Sequence, residues 1–306
     1  MKRYTTLNDH FQTRFDARVF KVPLDAHLTC PNRDGSLGLG GCIYCSDSGA
    51  AATVFDVPLS LKAQYWHHKT LLQTKWPEAK TMPYFQAHTN TYAPLEALKR
   101  LYETALTIDP EHTVGLCVST RPDALDDLVV DYLGDLTQRT FVQVELGLQS
   151  IHPKSADWMR RGHDLAAFED ALKRLRRYPI DVVVHIINGL PLETEEDMLE
   201  TARYLGKQDI QGIKIHMLHI TNDSPLGRLY QQSPFALLSK EDYVRITCEQ
   251  LTYLKKDIVI HRLTGDGLRD VLIAPLWTLK KWEVLNAIDD FMTRQDWHQG
   301  CRLTTP

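Results

Sequence analysis

Strand-length apolar runs alternate with amphipathic helical stretches along this chain of 306 residues, at intervals of roughly 30 residues. Parallel strands need a crossover of about this length, so the rhythm restricts the chain to βαβ units assembled into a parallel sheet. Residues 19–24, 83–87, 114–119, 141–148, 180–187, 212–218 and 258–260 read as strands. Between them, 59–76 reads as a helix with Leu61, Tyr65 and Leu72 on one face. Pro94, at a first helical position, opens a helix carrying Leu95, Leu98, Leu101, Tyr102 and Ala105. Residues 123–137 also read as helical, Leu165, Phe168, Leu172 and Leu175 fall at helical spacing, and Thr194 and Ser239 read as N-caps.

Six or seven such units without a domain break imply a complete or partial (β/α) TIM-type barrel over 18–260, preceded by a short N-terminal segment at 1–17. A C-terminal helical extension at 261–306, with Leu279, Trp282, Leu285, Ile288 and Phe291 as its apolar stripe, is expected to pack on the barrel. The doubly wound sheet is the competing architecture, but no Gly-x-Gly-x-x-Gly turn follows the first strand to support it.

The net charge of −4 excludes a uniformly basic polyanion binder. It leaves room for local patches such as Arg160-Arg161, Lys173-Arg174, Arg176-Arg177 and Lys280-Lys281. No stretch approaches the roughly 20 apolar residues of a membrane helix. No apolar signal-peptide core follows the first charged residues, so a cytoplasmic protein without a membrane partner is expected.

Of the six cysteines, Cys30, Cys42 and Cys45 crowd into one loop, whereas Cys117, Cys248 and Cys301 are scattered. The loop follows the first strand, which places it at the carboxyl end of the sheet, where barrel enzymes build their sites. Gly35, Gly38, Gly40 and Gly41 within it would let the backbone approach a bulky ligand. A structural zinc site wants four protein ligands, and His27 is the nearest candidate for the fourth. A redox dithiol uses Cys42 and Cys45 and leaves Cys30 idle. Three thiolates on an iron–sulfur cluster leave one iron open to a non-protein ligand. Three unrelated cysteines complete the set of readings that the residues alone leave open.

The loop resembles the cluster motif of radical S-adenosylmethionine (SAM) enzymes, with eleven residues instead of the usual three between the first two cysteines. That longer gap is similar to the branch containing the elongator catalytic subunit. The whole chain resembles a bacterial family of radical SAM proteins of about this length. The likeness rests on Cys-Pro-Asn-Arg-Asp-Gly, Gly-Gly-Cys-x-Tyr-Cys, Glu-Leu-Gly-Leu-Gln-Ser, Gly-Leu-Pro-x-Glu-Thr and Ala-Pro-Leu-Trp. It implies that Cys30, Cys42 and Cys45 hold a 4Fe–4S cluster and that SAM binds the open iron. It also implies that an electron from a flavodoxin or ferredoxin cleaves SAM to a 5′-deoxyadenosyl radical, which takes hydrogen from substrate.

The resemblance further implies that Tyr44 packs near the adenine; at the SAM methionine end this sequence departs from the family's Gly-Gly-Glu-type segment, and backbone carbonyls with Thr89 or Asn90 assisting are expected to do its work, or His88 to face substrate instead. A carboxylate or amide at the end of the fourth strand suits ribose hydroxyls, so Glu145, which in an apolar strand needs a ligand or ion pair, and Gln149 are expected on the ribose or elsewhere on SAM; the Arg161 guanidinium suits the SAM carboxylate, and the Gly189-Leu190-Pro191 turn, which resembles the superfamily's Gly-Leu-Pro turn, is expected beside the adenine. Strand alternation predicts that only one of His216 and His219 enters the barrel. Cys301 is left without a role. The elongator branch suggests a tRNA substrate, modified at the side chain of a wobble uridine, with Arg161, Arg174 and Arg177 on phosphates at the rim. The competing readings are radical SAM chemistry on a small metabolite such as a tetrapyrrole, and a non-catalytic iron–sulfur or zinc binding module.

Overall fold

The computed structural model describes residues 2–46, 59–265, 267 and 269–303; Met1 and 304–306, which fall in the expected terminal segments, lie outside the described residues. Strands β1 (Val19–Leu24), β2 (Lys80–Phe85), β3 (Gly115–Thr120), β4 (Phe141–Gln149), β5 (Asp181–Asn188) and β6 (Gly212–Met217) lie side by side in chain order, all parallel. A two-residue β7 (Ile220–Thr221) leaves this sheet, β8 (Val259–Arg262) joins it beside β6, and β9 (Leu272–Ala274) pairs antiparallel with β7. An order that never reverses puts every crossover on the same face, which yields a partial barrel and excludes the doubly wound sheet.

Helix α1 (Leu7–Phe15) precedes β1. The crossovers carry α2 (Leu61–Gln73), α3 (Leu95–Thr107), α4 (Asp127–Leu136), the paired α5 (Pro153–Trp158) and α6 (Leu165–Leu175), and α7 (Glu195–Leu205). Then α8 (Pro225–Gln232) and α9 (Lys240–Thr252) precede β8, and α10 (Lys281–Arg294) follows β9. Among the described residues no helix is long and apolar enough to cross a membrane.

Period-two patterning shows what each face of the sheet meets. On β4, Val142, Val144, Leu146 and Leu148 join the main core with Phe168, Leu172 and Leu175 of α6. The alternate residues Gln143, Glu145, Gly147 and Gln149 turn to the concave side, where Gly147 and Gln149 line a cavity. The curl follows from one carboxylate. At about 4.8 Å between neighbouring strands, β1 lies about 14 Å from β4 along a flat sheet. Yet Lys21 of β1 reaches Glu145 of β4 at 2.5 Å, and Lys214 of β6 reaches it at 2.6 Å. Only a sheet wrapped around Glu145 brings those ammonium groups together.

The base of the half-barrel is filled from outside the strands. Phe11 of α1 is buried with Met82, Tyr84, Cys117 and Phe141, and Phe15 stacks edge-on with Phe141 at 5.5 Å. The segment before α1 runs along the free edge of β8: Thr6 bridges Ile260, and the Ile260 N–H donates to the Thr5 carbonyl at 2.8 Å.

The caps at Thr194 and Ser239 form, Thr194 within a full capping box with Asp197. Three local expectations change. Pro94 is the residue before α3 rather than within it. The helix expected over 123–137 breaks into a 3-10 turn at Pro122–Ala124 and α4, because the Asp126 carboxylate caps at Val129 N–H, 2.8 Å away. On α10 the buried stripe is Val284, Ile288 and Met292, while Trp282 is 73% exposed. The i, i+4 ridge from Val284 is the one that faces α9, where the Cys248 thiol lies 3.6 Å from the Ile288 carbonyl.

Truncating Phe11 to Ala removes the plug from the base of the half-barrel. Urea unfolding of Phe11→Ala is expected to show a loss of about 3–5 kcal/mol against the parent chain.

Candidate active site at the carboxyl end of the sheet

The cysteine loop is built by its own backbone before any ligand is considered. A turn starts at Cys30, whose carbonyl accepts from Arg33 N–H at 2.8 Å. A small hairpin follows, with Asp34 bridged to Leu39, and a second turn closes from Cys45 N–H to the Cys42 carbonyl at 3.0 Å. The glycines serve this packing. A Cβ on Gly38 would stand 2.4 Å from the Asn32 side chain, and Gly41, at φ +84°, leaves room for Arg33. Of the four loop glycines, Gly41 lines the cavity; the others shape the loop rather than a ligand surface.

Asn32 ties this loop to the one after β4. Its amide donates to the Arg160 carbonyl at 2.6 Å and approaches the Cys42 sulfur at 3.5 Å. Arg121, following β3, donates to the Arg161 carbonyl at 2.7 Å and is gripped by both carboxylate oxygens of Asp123. Arg161 is buried; it donates to the carbonyls of Leu148, Ser150 (2.8 Å) and His163 (3.0 Å). Three βα loops are thereby locked around the thiols. Cys42 is pushed down to about 6: the hydrogen bond from Cys45 is the largest cause, burial opposes it, and the Arg121 guanidinium adds to it.

Cys30, Cys42 and Cys45 all line one cavity of about 330 Å³ at the carboxyl end of the strands, and none is in a disulfide. Tyr44, His88, Thr89, Gln149 and Arg161 share that wall. Both His216 and His219 do too, because β6 ends at Met217 and its alternation stops there. Other expected contacts lie elsewhere. Asn90 is fully buried and pins the β2 loop to the Ser119 carbonyl at 3.0 Å. The Gly189-Leu190-Pro191 turn is off the cavity wall; Leu190 packs under the cysteine loop with Ile43, Met159 and Leu226.

Glu145 is 0% exposed, and its carboxylate is fully engaged by protein. Lys21, Lys214, Tyr84 (2.6 Å) and His185 (2.8 Å) surround it, so its expected ribose contact gives way to an ion network beneath the cavity floor. Burial alone would raise its pKa; Lys21, Lys214 and His185 outweigh that and hold it well below the ordinary carboxylate value. Arg174 and Arg177 sit at the last turn of α6 and just beyond it, before β5 begins, paired with Asp170, Asp127 and Asp131. They do not line the cavity. Cys301 is exposed in the C-terminal tail.

The residues missed from sequence are the cations. Arg33, Arg121, Lys214 and Arg262 line the cavity together with Arg161, and among the described residues no Asp or Glu does. A charge inside an otherwise apolar strand, Lys214 in Gly-Ile-Lys-Ile, was the available signal.

The donor set fits an iron–sulfur cluster better than a single ion. Among the described residues, the group with all metal-binding atoms within 4.8 Å of one another is His152, Asp197 and Glu200, not the three thiols. Asp197 there is occupied by the cap of α7 and by Lys154. Three sulfurs spread around one cavity suit a larger centre with one iron left for another ligand.

A parallel half-barrel with three free thiols in its first βα loop is the arrangement of radical SAM enzymes. The profile of the Radical SAM superfamily matches residues 38–205, that of the Radical_SAM C-terminal domain matches 210–294, and the chain belongs to this superfamily. Its cofactors are a 4Fe–4S cluster and SAM. Within the superfamily it is 42% identical to YtqA of Bacillus subtilis, over 98% of this chain and 92% of that one. It is 23% identical over 183 residues to a tRNA uridine(34) acetyltransferase of Methanocaldococcus jannaschii, covering 58% of this chain and 32% of the relative. The structure of the archaeal Methanocaldococcus infernus Elp3 with an N-terminal deletion shares the fold, with a TM-score of 0.66 at 16% identity. That match spans 92% of this chain and 64% of the archaeal one.

Two outcomes follow. Cys→Ala at 30, 42 or 45 is expected to abolish or cripple iron uptake on anaerobic reconstitution, measured as iron per chain, while Cys117→Ala, Cys248→Ala and Cys301→Ala retain it. Glu145→Ala leaves Lys21 and Lys214 buried without their counter-charge, and denaturant melts should show a loss of about 3–5 kcal/mol.

Proposed function

We propose that this enzyme acts on a tRNA, abstracting hydrogen from the side chain of a wobble uridine presented singly in the cavity. The observation that carries the reading is the cavity wall, which among the described residues holds Arg33, Arg121, Arg161, Lys214 and Arg262 and no carboxylate, in a chain whose net charge is −4. Such a wall favours an anionic ligand and disfavours a cationic one. The likeness to a tRNA uridine(34) acetyltransferase supports the choice of tRNA. A cavity sunk among the strand ends can be reached by one extruded base but not by a base held in a duplex.

When bound, the cluster on Cys30, Cys42 and Cys45 and SAM supply a deoxyadenosyl radical. The chain's own residues do the rest. Asn32, Arg121 and Arg161 fix the loops that present the thiols. Tyr44, Thr89 and Gln149 form the wall on which SAM would rest, and Arg161 is the cation offered to its carboxylate. Enclosure by the strand ends keeps water from the reacting carbon. This reading takes a flavodoxin or ferredoxin as reductant and a cytoplasmic setting that keeps the thiols reduced.

The test is purified, reconstituted enzyme with reductant and SAM on total tRNA from a deletion strain. A new nucleoside mass should appear together with 5′-deoxyadenosine, and tRNA binding should weaken as salt rises. SAM cleavage with unchanged nucleosides and no tRNA binding would transfer the chemistry to a small metabolite. Loss of SAM cleavage as well would leave a binding module.

A further inference from the structure

We propose that His185 is the proton acceptor for the substrate: its Nδ1 takes a proton from an N–H or O–H of the molecule in the cavity while Glu145 holds its Nε2. This rests on the reading that a substrate enters the cavity, and it adds the atom that ionises it.

The placement follows from strand alternation. On β5, Val182, Val184 and Ile186 join the main core, so His185 and Ile187 turn to the concave side, where both line the cavity. In register, His185 lies between Gly147 of β4 and Lys214 of β6. Its side chain keeps 21% of its area exposed, whereas the Glu145 side chain keeps none. A histidine that only satisfies a buried acid would account for the Glu145 bond, but not for a place on the cavity wall. The ring is anchored from beneath and presented above.

Glu145 decides which nitrogen carries the proton. Its carboxyl is held well below the ordinary value, so it is ionised and can only accept. His185 Nε2, 2.8 Å from the Glu145 carboxylate, is therefore the N–H, and in the neutral ring Nδ1 is a bare lone pair. Groups on several strands keep the ring neutral. Burial lowers the His185 pKa most, Lys214 of β6 and Lys21 of β1 act the same way, and Glu145 of β4 opposes them. His216 of β6, its ring 5.6 Å away, is pushed well down by burial, and burial pushes the Tyr84 phenol of β2 up, so both stay uncharged. Arg262 of β8 stands on the same wall. In the transfer, the substrate's N–H or O–H bond breaks, its electron pair stays on the substrate atom, and the proton bonds to Nδ1. Nε2 keeps its own proton, so the imidazolium forms already paired with a carboxylate. No oxidant or reductant is needed, and a pyrimidine base and its ribose both offer such protons.

The first arm of the experiment needs no substrate. Cluster-loaded protein labelled with ¹⁵N-histidine gives the tautomer of His185, its signal assigned by its loss in His185→Gln. Diethyl pyrocarbonate, which acylates only an unprotonated imidazole nitrogen, then probes Nδ1, with the modified residues read by peptide mass spectrometry. The Nε2–H tautomer is expected at neutral pH, with His185 acylated and the reaction slowing as pH falls through a midpoint below that of an ordinary histidine. Lys214→Gln should raise that midpoint. An Nδ1–H tautomer, or an unmodified His185 under conditions where the exposed His298 reacts, overturns the proposal. The second arm is the tRNA assay. His185→Gln should form the new nucleoside at least about a hundredfold more slowly, and the acid limb of the parent's rate should follow the midpoint of the first arm. Equal rates in His185→Gln and parent reject His185 as the acceptor and keep the tRNA reading. Unmodified tRNA with the parent rejects that reading, and His185 then stands or falls on the tautomer and the acylation.

Discussion

One buried carboxylate organises the interior. Glu145 receives Lys21 from β1, Tyr84 from β2, His185 from β5 and Lys214 from β6. Those strands are spread across the sheet, so the ion network works as a hub that draws their concave faces together. Apolar packing on the outer face sets the layers, but it is indifferent to how tightly the sheet curls. Charge is not: each lysine must reach the same two oxygens, and that fixes the radius. A buried ion pair need not be more stabilising than a well-packed apolar replacement. Its worth here is geometric, since the curl decides how far apart the strand ends stand around the cavity.

At the other end of the strands, a different economy holds. Backbone carbonyls receive the guanidinium of Arg161, and Arg121 divides its donors between the Arg161 carbonyl and the Asp123 carboxylate. Arg161 therefore keeps most of its field while being held still, a useful property beside thiolates and a carboxylate-bearing cofactor. Asn32 closes the circuit by bonding across to the Arg160 carbonyl. Hydrogen bonds to the main chain do much of the preorganising of the site, and among the described residues the cavity wall carries no acidic side chain.

Much of the fold is written in local pattern. The alternation of apolar strands and amphipathic helices, the caps at Thr194 and Ser239, and the Cys30–Cys42–Cys45 loop can all be read within short windows. The loop's position after the first strand then places the thiols. What could not be read is what depends on several loops meeting. Arg33, Arg121 and Arg262 are ordinary surface-type residues in sequence and become one wall only when β1, β3 and β8 curl together. Glu145 was marked by its apolar strand as needing a partner, but whether that partner was ligand or lysine depended on strands far away in the chain. The Gly189-Leu190-Pro191 turn shows the opposite error: a ligand-like motif whose leucine is spent on packing against Ile43.

The sheet never closes, and β8 would end it with a bare row of amide and carbonyl groups. The residues around Thr5 and Thr6 lie along that row, and α1 fills the space beneath. An unprotected edge strand is a template for pairing with another chain. The amino-terminal segment is therefore the device that keeps one half-barrel from zipping onto the next. Protection of that edge is lodged at residues remote from the chemistry, and any fusion or trimming that lifts them from β8 would bare a strand ready to pair.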